Sequence, residues 1–265
     1  MKKLMVWEIM IVLTLGSPFS AFPQTAASNI KLEWLTWSFF RITSPGGKVI
    51  LTNPWLTNPD SQTKLEEIDK AEIILVATGH RDEIGETGAI ATKTGAKVIT
   101  THEMAGGILK GKVPDPQLIR AQPGSVVEID GIKIRVVGAI HGSGGEQAAY
   151  GGSALGFFIT FENRYTLYFS GSTDITMDMQ LWGSLFKPDA AIIYYSGSLD
   201  PMVVAHKIRL LSTDNPNLKT VIPHHQRLKP PLGKDPEALA ATMKSLGLQA
   251  KLLNPKPRQV YILSQ

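Results

Sequence analysis

The 265 residues are 43% hydrophobic and 19% charged, enough apolar material for one large domain or two small ones and too much for a disordered chain. The formal net charge is +4 without a long basic run, so nothing in the balance points to nucleic acid as a partner. Cysteine is absent, which excludes a disulfide framework, a thiolate metal site and a lipid anchor on cysteine.

Residues 1–27 read as an export signal. Lys2 and Lys3 precede an apolar run from Leu4 to Leu15, broken by Glu8 and Thr14, and Thr25-Ala26-Ala27 offers small residues for cleavage. The run is shorter than the ~20 residues that a membrane span needs. The expected product is a mature domain over 28–265, periplasmic or secreted, with no stable membrane insertion after cleavage.

Ile30 to Leu35, Phe39 to Thr43 and Val49 to Leu51 read as an antiparallel meander turning at Pro45-Gly46-Gly47. Ser61 to Lys70 is at most a short surface helix. Ile73 to Ala77 is a buried strand, short, β-branched and uncharged. It feeds Thr78-Gly79-His80-Arg81-Asp82-Glu83, expected as a tight loop, and Thr87 to Thr94 reads as a helix. Val98 to Thr101 is a strand and Glu103 to Lys110 a brief helix. Val126 to Ile129 and Ile132 to Ala139 flank Asp130-Gly131, a strong hairpin signal. Leu155 to Phe161 and Tyr165 to Phe169 form a second hairpin around Asn163-Arg164. Met177 to Phe186 is a helix with Met179, Leu181, Trp182 and Leu185 as its apolar side. Ala190 to Tyr194, Val203 to Leu211 and Thr220 to Ile222 alternate strand, helix, strand. Glu237 to Leu246 is the last helix, and Ala250 to Leu253 with Gln259 to Leu263 closes the sheet.

Hairpins followed by alternating strands and helices occur in each half, the pattern of an α/β sandwich of two mixed sheets with helices outside. Four strands end in polar, glycine-rich or histidine-bearing segments, at His80, at His141, at Ser172 and Asp174, and at His225. Loops at strand ends carry the chemistry of such folds. An imidazole and two carboxylates within four residues suit a divalent metal such as zinc, manganese or iron. The competing reading of that stretch is a solvated loop whose Asp caps the next helix. Successive strand residues alternate faces, so His224 is expected to point away from His225. No Gly-x-Ser-x-Gly elbow, dinucleotide loop or Walker lysine pattern is present.

The strand-to-loop order resembles the metallo-β-lactamase superfamily, in its lactonase-like branch of metal-dependent hydrolases. The likeness runs over roughly residues 30–264 and includes Trp34-Leu35, Ile73 to Gly85, Ala139-Ile140-His141, Tyr150-Gly151-Gly152, Phe169 to Met179, Lys187-Pro188-Asp189 and Val221 to His225. It implies a four-layer αββα sandwich with a metal site at one edge. The family pattern His-x-His-x-Asp-His meets Thr78, His80, Asp82 and Glu83 here, and its later histidines meet His141 and His225. The bridging Asp of a Gly-Asp-Thr motif meets Ser172.

The resemblance therefore implies one ion rather than two, zinc first, held by some of His80, Asp82, His141 and His225, with Glu83 and Asp174 as further oxygen donors. Asp82 and Glu83 are the expected catalytic acid–base groups. Arg81, Ser172 and His224 are the expected contacts of a small-molecule substrate, although Arg81 equally suits a surface ion pair. The implied activity is hydrolysis of an ester, lactone, amide or phosphoester. The alternative class is a metal-free, inactive binding or scaffold protein on the same fold, and the changes at Thr78, Glu83 and Ser172 speak for it.

Overall fold

The computed structural model describes residues 29–146, 149–228 and 236–264. The export signal expected at 1–27 lies outside the described residues.

Among the described residues, fourteen strands form two seven-stranded sheets. The first sheet contains β1 (Ile30–Thr36), β2 (Phe39–Thr43), β3 (Val49–Thr52), β4 (Ile73–Leu75), β5 (Lys97–Thr101), β6 (Leu118–Ala121) and β14 (Val260–Leu263), in the order β14-β1-β2-β3-β4-β5-β6. The second contains β7 (Val126–Ile129), β8 (Ile132–Gly138), β9 (Leu155–Thr160), β10 (Thr166–Phe169), β11 (Ala190–Tyr194), β12 (Thr220–His224) and β13 (Lys251–Leu252), in reverse numerical order. Both sheets are antiparallel at one end and parallel at the other.

Period-two alternation builds the layers. Ile73 and Leu75 of β4 face the other sheet, where they meet Phe157, Ile159, Leu167, Phe169 and Ile192. Ile74 and Val76 face outward beneath α2 (Thr87–Thr94) and the π-helical turn Met104–Ile108. On the second sheet, Phe158, Tyr168, Ala191 and Ile193 face outward beneath α3 (Asp178–Phe186), α4 (Pro201–Ser212) and α5 (Pro236–Ser245). The result is helix, sheet, sheet, helix: the four-layer αββα sandwich read from the sequence.

Four local readings change. Asp82 and Glu83 sit on one helical turn, α1 (Arg81–Ile84), rather than on a loop. β6 is an additional strand, parallel to β5, that its short and charged sequence conceals. The two C-terminal strands part company: β13 extends the second sheet, while β14 pairs with β1 of the first. On α3, Met179 is fully buried, but Leu181 and Leu185 are exposed. They continue a stripe from Met177, because the helix buries its Gly183 face against α4.

The site edge is fixed by joins between the sheets. The Leu155 N–H of β9 donates to the Ala77 carbonyl just past β4 (2.9 Å), and the His225 N–H donates to the Trp37 carbonyl between β1 and β2 (3.1 Å). Gly171 ends β10 with φ +54°, and a Cβ there would collide with the Leu155 carbonyl oxygen. Gly171→Ala is therefore expected to destabilise the fold by ~2–4 kcal/mol, lowering Tm by roughly 5–15 °C. A thermal melt unchanged within 2 °C, roughly the shift of the smallest structural effects, would show that the edge tolerates a shift there.

Candidate functional site

Thr78-Gly79-His80 leaves β4 and turns at once into α1. His80 is the residue before its first turn, and the Glu83 and Ile84 N–H groups donate to its carbonyl. That turn swings Asp82 and Glu83 inward and leaves Arg81 outside. Glu83 is 1% exposed, Asp82 is half-buried and Arg81 is exposed. Asp82 does not cap the helix. Its Oδ2 accepts the Trp37 indole N–H at 2.8 Å and lies 3.5 Å from His225 Nε2. Glu83 Oε1 accepts the Ser172 hydroxyl in a short hydrogen bond and lies 4.0 Å from His225 Nε2. Glu83 Oε2 is buried with no hydrogen-bond partner among the described residues.

His141 follows β8 and is exposed, its ring 5.1 Å from that of His80 and edge-on to it. Its segment is tied to the one after β10: Ile140 N–H donates to Thr173 Oγ1 (2.9 Å), and Asp174 N–H donates to the Ile140 carbonyl (3.0 Å). Lys207 of α4 is fully buried beneath this tie and donates to the Thr173 carbonyl at 2.8 Å. Burial lowers its ammonium pKa from 10.5 to about 8, against the opposing charge of Asp174.

The expectation for His224 is corrected. Its ring does not diverge from that of His225, because the strand ends at His224 and His225 turns to φ +65°, which breaks the alternation. The two Nδ1 atoms stand 2.7 Å apart. Ser170 donates its hydroxyl hydrogen to the Gly171 carbonyl, so at its 3.4 Å contact with His224 Nε2 it can only accept. The hydrogen-bond network thereby assigns His224 a proton on Nε2 and a bare Nδ1, and His225 a proton on Nδ1. His224 is held well below the ordinary imidazole pKa by burial and by the neighbouring His225. Fully buried, it has no surface to offer a substrate, and it orients His225 instead. Ser172, 1% exposed and bonded to Glu83, is likewise closed to substrate. Asp174 is exposed, and its Oδ1 accepts its neighbour Ile175 N–H, so the structure does not bring it among the inward-facing donors.

His225 Nε2 faces Asp82 Oδ2, Glu83 Oε1 and, at 3.4 Å, Ser172 Oγ, whose hydrogen is already given to Glu83, so Nε2 is the donor toward these oxygens. Burial alone would raise the Asp82 carboxyl. The hydrogen bond and charge of His225, with the Trp37 indole, outweigh burial and leave it below its ordinary pKa. Burial lowers the pKa of His141, helped by His80 and His225 and opposed by Glu83 and Asp82. Two inward-facing carboxylates, one of them with an orphaned oxygen, call for positive charge among them. In donor chemistry, three imidazoles and two carboxylates fit a divalent cation. In geometry, no group of three or more such side chains among the described residues stands ready to hold a metal ion.

Trp37 is the residue that the sequence reading leaves unassigned. Its indole binds Asp82, its carbonyl accepts both His225 N–H (3.1 Å) and Trp34 Nε1–H (3.0 Å), and its ring lies 4.8 Å from that of His225. The only sequence signal is a Trp at the tight β1–β2 junction, where the backbone turns to φ +50°.

The protein-family model described as "Beta-lactamase superfamily domain" matches residues 31–225. A UPF0173 metal-dependent hydrolase of Myxococcus xanthus is 34% identical over 241 residues, covering 88% of this chain and 84% of its own. A counterpart from Thermodesulfovibrio yellowstonii is 32% identical over 271 residues and covers 97% of each chain. Among solved structures, Igni18, a metallo hydrolase from Ignicoccus hospitalis, superposes with a TM-score of 0.76 at 26% identity, over 89% of this chain and 99% of its own.

Two measurements test the site as drawn. In Trp37→Phe, which keeps the ring and removes the N–H, the Asp82 pKa should rise; a side-chain carbon NMR titration reads it, and an unmoved Asp82 would mean that the indole does not hold it. Lys207 gives a pH signature. The unfolded chain binds a proton that the folded one sheds between pH 8 and 10.5, so stability rises with pH there. Between pH 8 and 9.5 the wild type should gain roughly 2 kcal/mol over Lys207→Met, read by denaturant melts; a constant difference would refute the depressed ammonium.

Proposed function

This chain belongs to the beta-lactamase superfamily, and from that premise we propose that it is an exported metal-dependent hydrolase with one divalent ion at the sandwich edge. Zinc is the first choice, with manganese or iron as alternatives. The substrate is a small molecule with an ester, lactone, amide or phosphoester bond. The printed descriptions of the relatives, metal-dependent hydrolases and a metallo hydrolase, support the reaction class. The basic start and apolar run of residues 1–27 support export, and among the described residues no helix is long and apolar enough to cross a membrane. The observation that carries the reading is the cluster of two carboxylates around one imidazole: Asp82 Oδ2 and Glu83 Oε1 at 3.5 and 4.0 Å from His225 Nε2, beside the unpartnered Glu83 Oε2.

His80, His141 and His225, with Asp82 and Glu83, are the groups that would hold the ion. A bound divalent cation supplies Lewis-acid polarisation of the scissile group and lowers the pKa of water. The chain supplies the rest. Asp82, held ionised and pinned by Trp37, orients the attacking water and accepts its proton. Glu83 places negative charge beneath the site, anchored by Ser172. His224, kept neutral, orients the His225 ring through its Nδ1. Exposed His141 and Arg81 flank the open side, where a substrate enters.

One observation favours the second reading, a metal-free binding or scaffold protein. Trp37 and Ser172 already supply hydrogen bonds to both carboxylates, and no three donors among the described residues stand ready for an ion.

Metal analysis by mass spectrometry on protein purified without chelator or affinity metal separates these. About one equivalent is expected, lost in His80→Ala and in His225→Ala. Two equivalents would overturn the single-ion reading, and none, after incubation with zinc or manganese, would establish the metal-free one.

A further inference from the structure

A cavity of about 730 Å³ opens beside this site. Its lining includes Arg81, Lys110 and Lys112 against a single acid, Glu146. All four are exposed. Arg81 and Glu146 approach to 3.9 Å with both side chains more than 70% exposed, so the pair is screened by water and leaves the guanidinium available. Lys110 and Lys112 form no ion pair among the described residues.

The cleft has built walls. Ile108, on the π-helical turn, reaches between the segments that carry His80 and His141. It lies close against Gly79 and Gly145, where an added Cβ would stand 2.9 or 2.8 Å from Ile108 Cδ1. Gly88 lets the Lys112 backbone approach α2 in the same way, with a Cβ there 2.8 Å from the Lys112 carbonyl oxygen. The cations therefore hang on a packed frame. Arg81 is joined in the chain to His80 on one side and Asp82 on the other, so the cleft borders the turn that carries them.

We propose that the cleft framed by Arg81, Lys110 and Lys112 binds an anionic arm, a carboxylate or phosphate, of the substrate and so selects acidic small molecules. This rests on the hydrolase reading for the word substrate; the anion site itself does not. Several cations of one sign in a concave site focus the field and raise the local concentration of an anion. Arg supplies a planar fork for carboxylate or phosphate, and lysines add charge without fixed geometry. Ile84 and Ile108 provide apolar contact for a carbon chain between the anion and the scissile bond.

The test has two arms on the full mature chain. In the first, backbone amide NMR at low salt follows titration with glutarate and, separately, with inorganic phosphate. Saturable shifts are expected at Arg81, Gly107, Lys110 and Lys112, weakened by added sodium chloride, with affinity reduced tenfold or more in Lys110→Glu/Lys112→Glu. The better-bound probe identifies the anion. Shifts scattered over the surface, or binding unchanged by the double reversal, would overturn the proposal. The second arm compares phenyl acetate with the monophenyl ester of glutaric acid. The double variant should raise KM at least tenfold for the acidic ester and leave kcat/KM for the neutral one within twofold. Equal effects on both esters would refute selection by charge. Absence of turnover with either would count against the hydrolase reading, while the first arm still decides the anion site.

Discussion

The join between Trp37 and His225 is the constraint on which the site depends. One residue closes the β1–β2 junction of the first sheet and the other ends β12 of the second, and a backbone hydrogen bond of 3.1 Å ties them. Both take positive φ, Trp37 at 50° and His225 at 65°. Neither is glycine, so both conformations carry strain that only surrounding contacts maintain. Those contacts are the ones that matter chemically. The Trp37 indole restrains Asp82, its ring packs on His225, and the turn at His225 brings its Nδ1 onto that of His224. A strained backbone and an ordered set of polar side chains are thus consequences of one closure between two sheets.

A second brace acts from the opposite helix layer. Lys207 gives up solvation to hold the Thr173 carbonyl, and Thr173 in turn receives Ile140 N–H beside His141. A buried ammonium with one carbonyl and the face of Tyr194, 5.5 Å away, is an expensive strut. It also places positive charge near His224 and helps to keep that imidazole neutral. Packing on α4 therefore bears on a loop that α4 does not itself contribute to.

The sandwich was legible because both sheets are built from short apolar runs with clean alternation. Asp130-Gly131, both at positive φ, marked its hairpin without ambiguity. The positions of His80, His141 and His225 at strand ends were legible for the same reason. What escaped were features set by tertiary geometry. The alternation rule fails at His224 because it holds only while the chain stays extended, and the chain leaves the strand one residue later. Glu83 and Ser172 read as two separate departures from the family pattern, since 88 residues lie between them and nothing local announces their hydrogen bond. Trp37 looks like core, and its ring does pack; only the partner of its N–H gives it another role.

The contact between Glu83 and Ser172 recasts those two departures as one. The family pattern places a carboxylate at the position of Ser172 and an imidazole at that of Glu83. Here the carboxylate stands on α1 and reaches across to the hydroxyl at the end of β10. The edge keeps two inward-facing carboxylates, Asp82 and Glu83, but three of the family pattern's five imidazole positions, His80, His141 and His225. Moving the carboxylate to a helical turn also removes a bridge fixed at a strand end, the geometry that would hold two cations ~3.5–4 Å apart. Anchoring thus favours the single-ion reading, and it accounts for an edge that departs from the family-pattern donors and still keeps, at Glu83 Oε2, a buried carboxylate oxygen without a partner among the described residues.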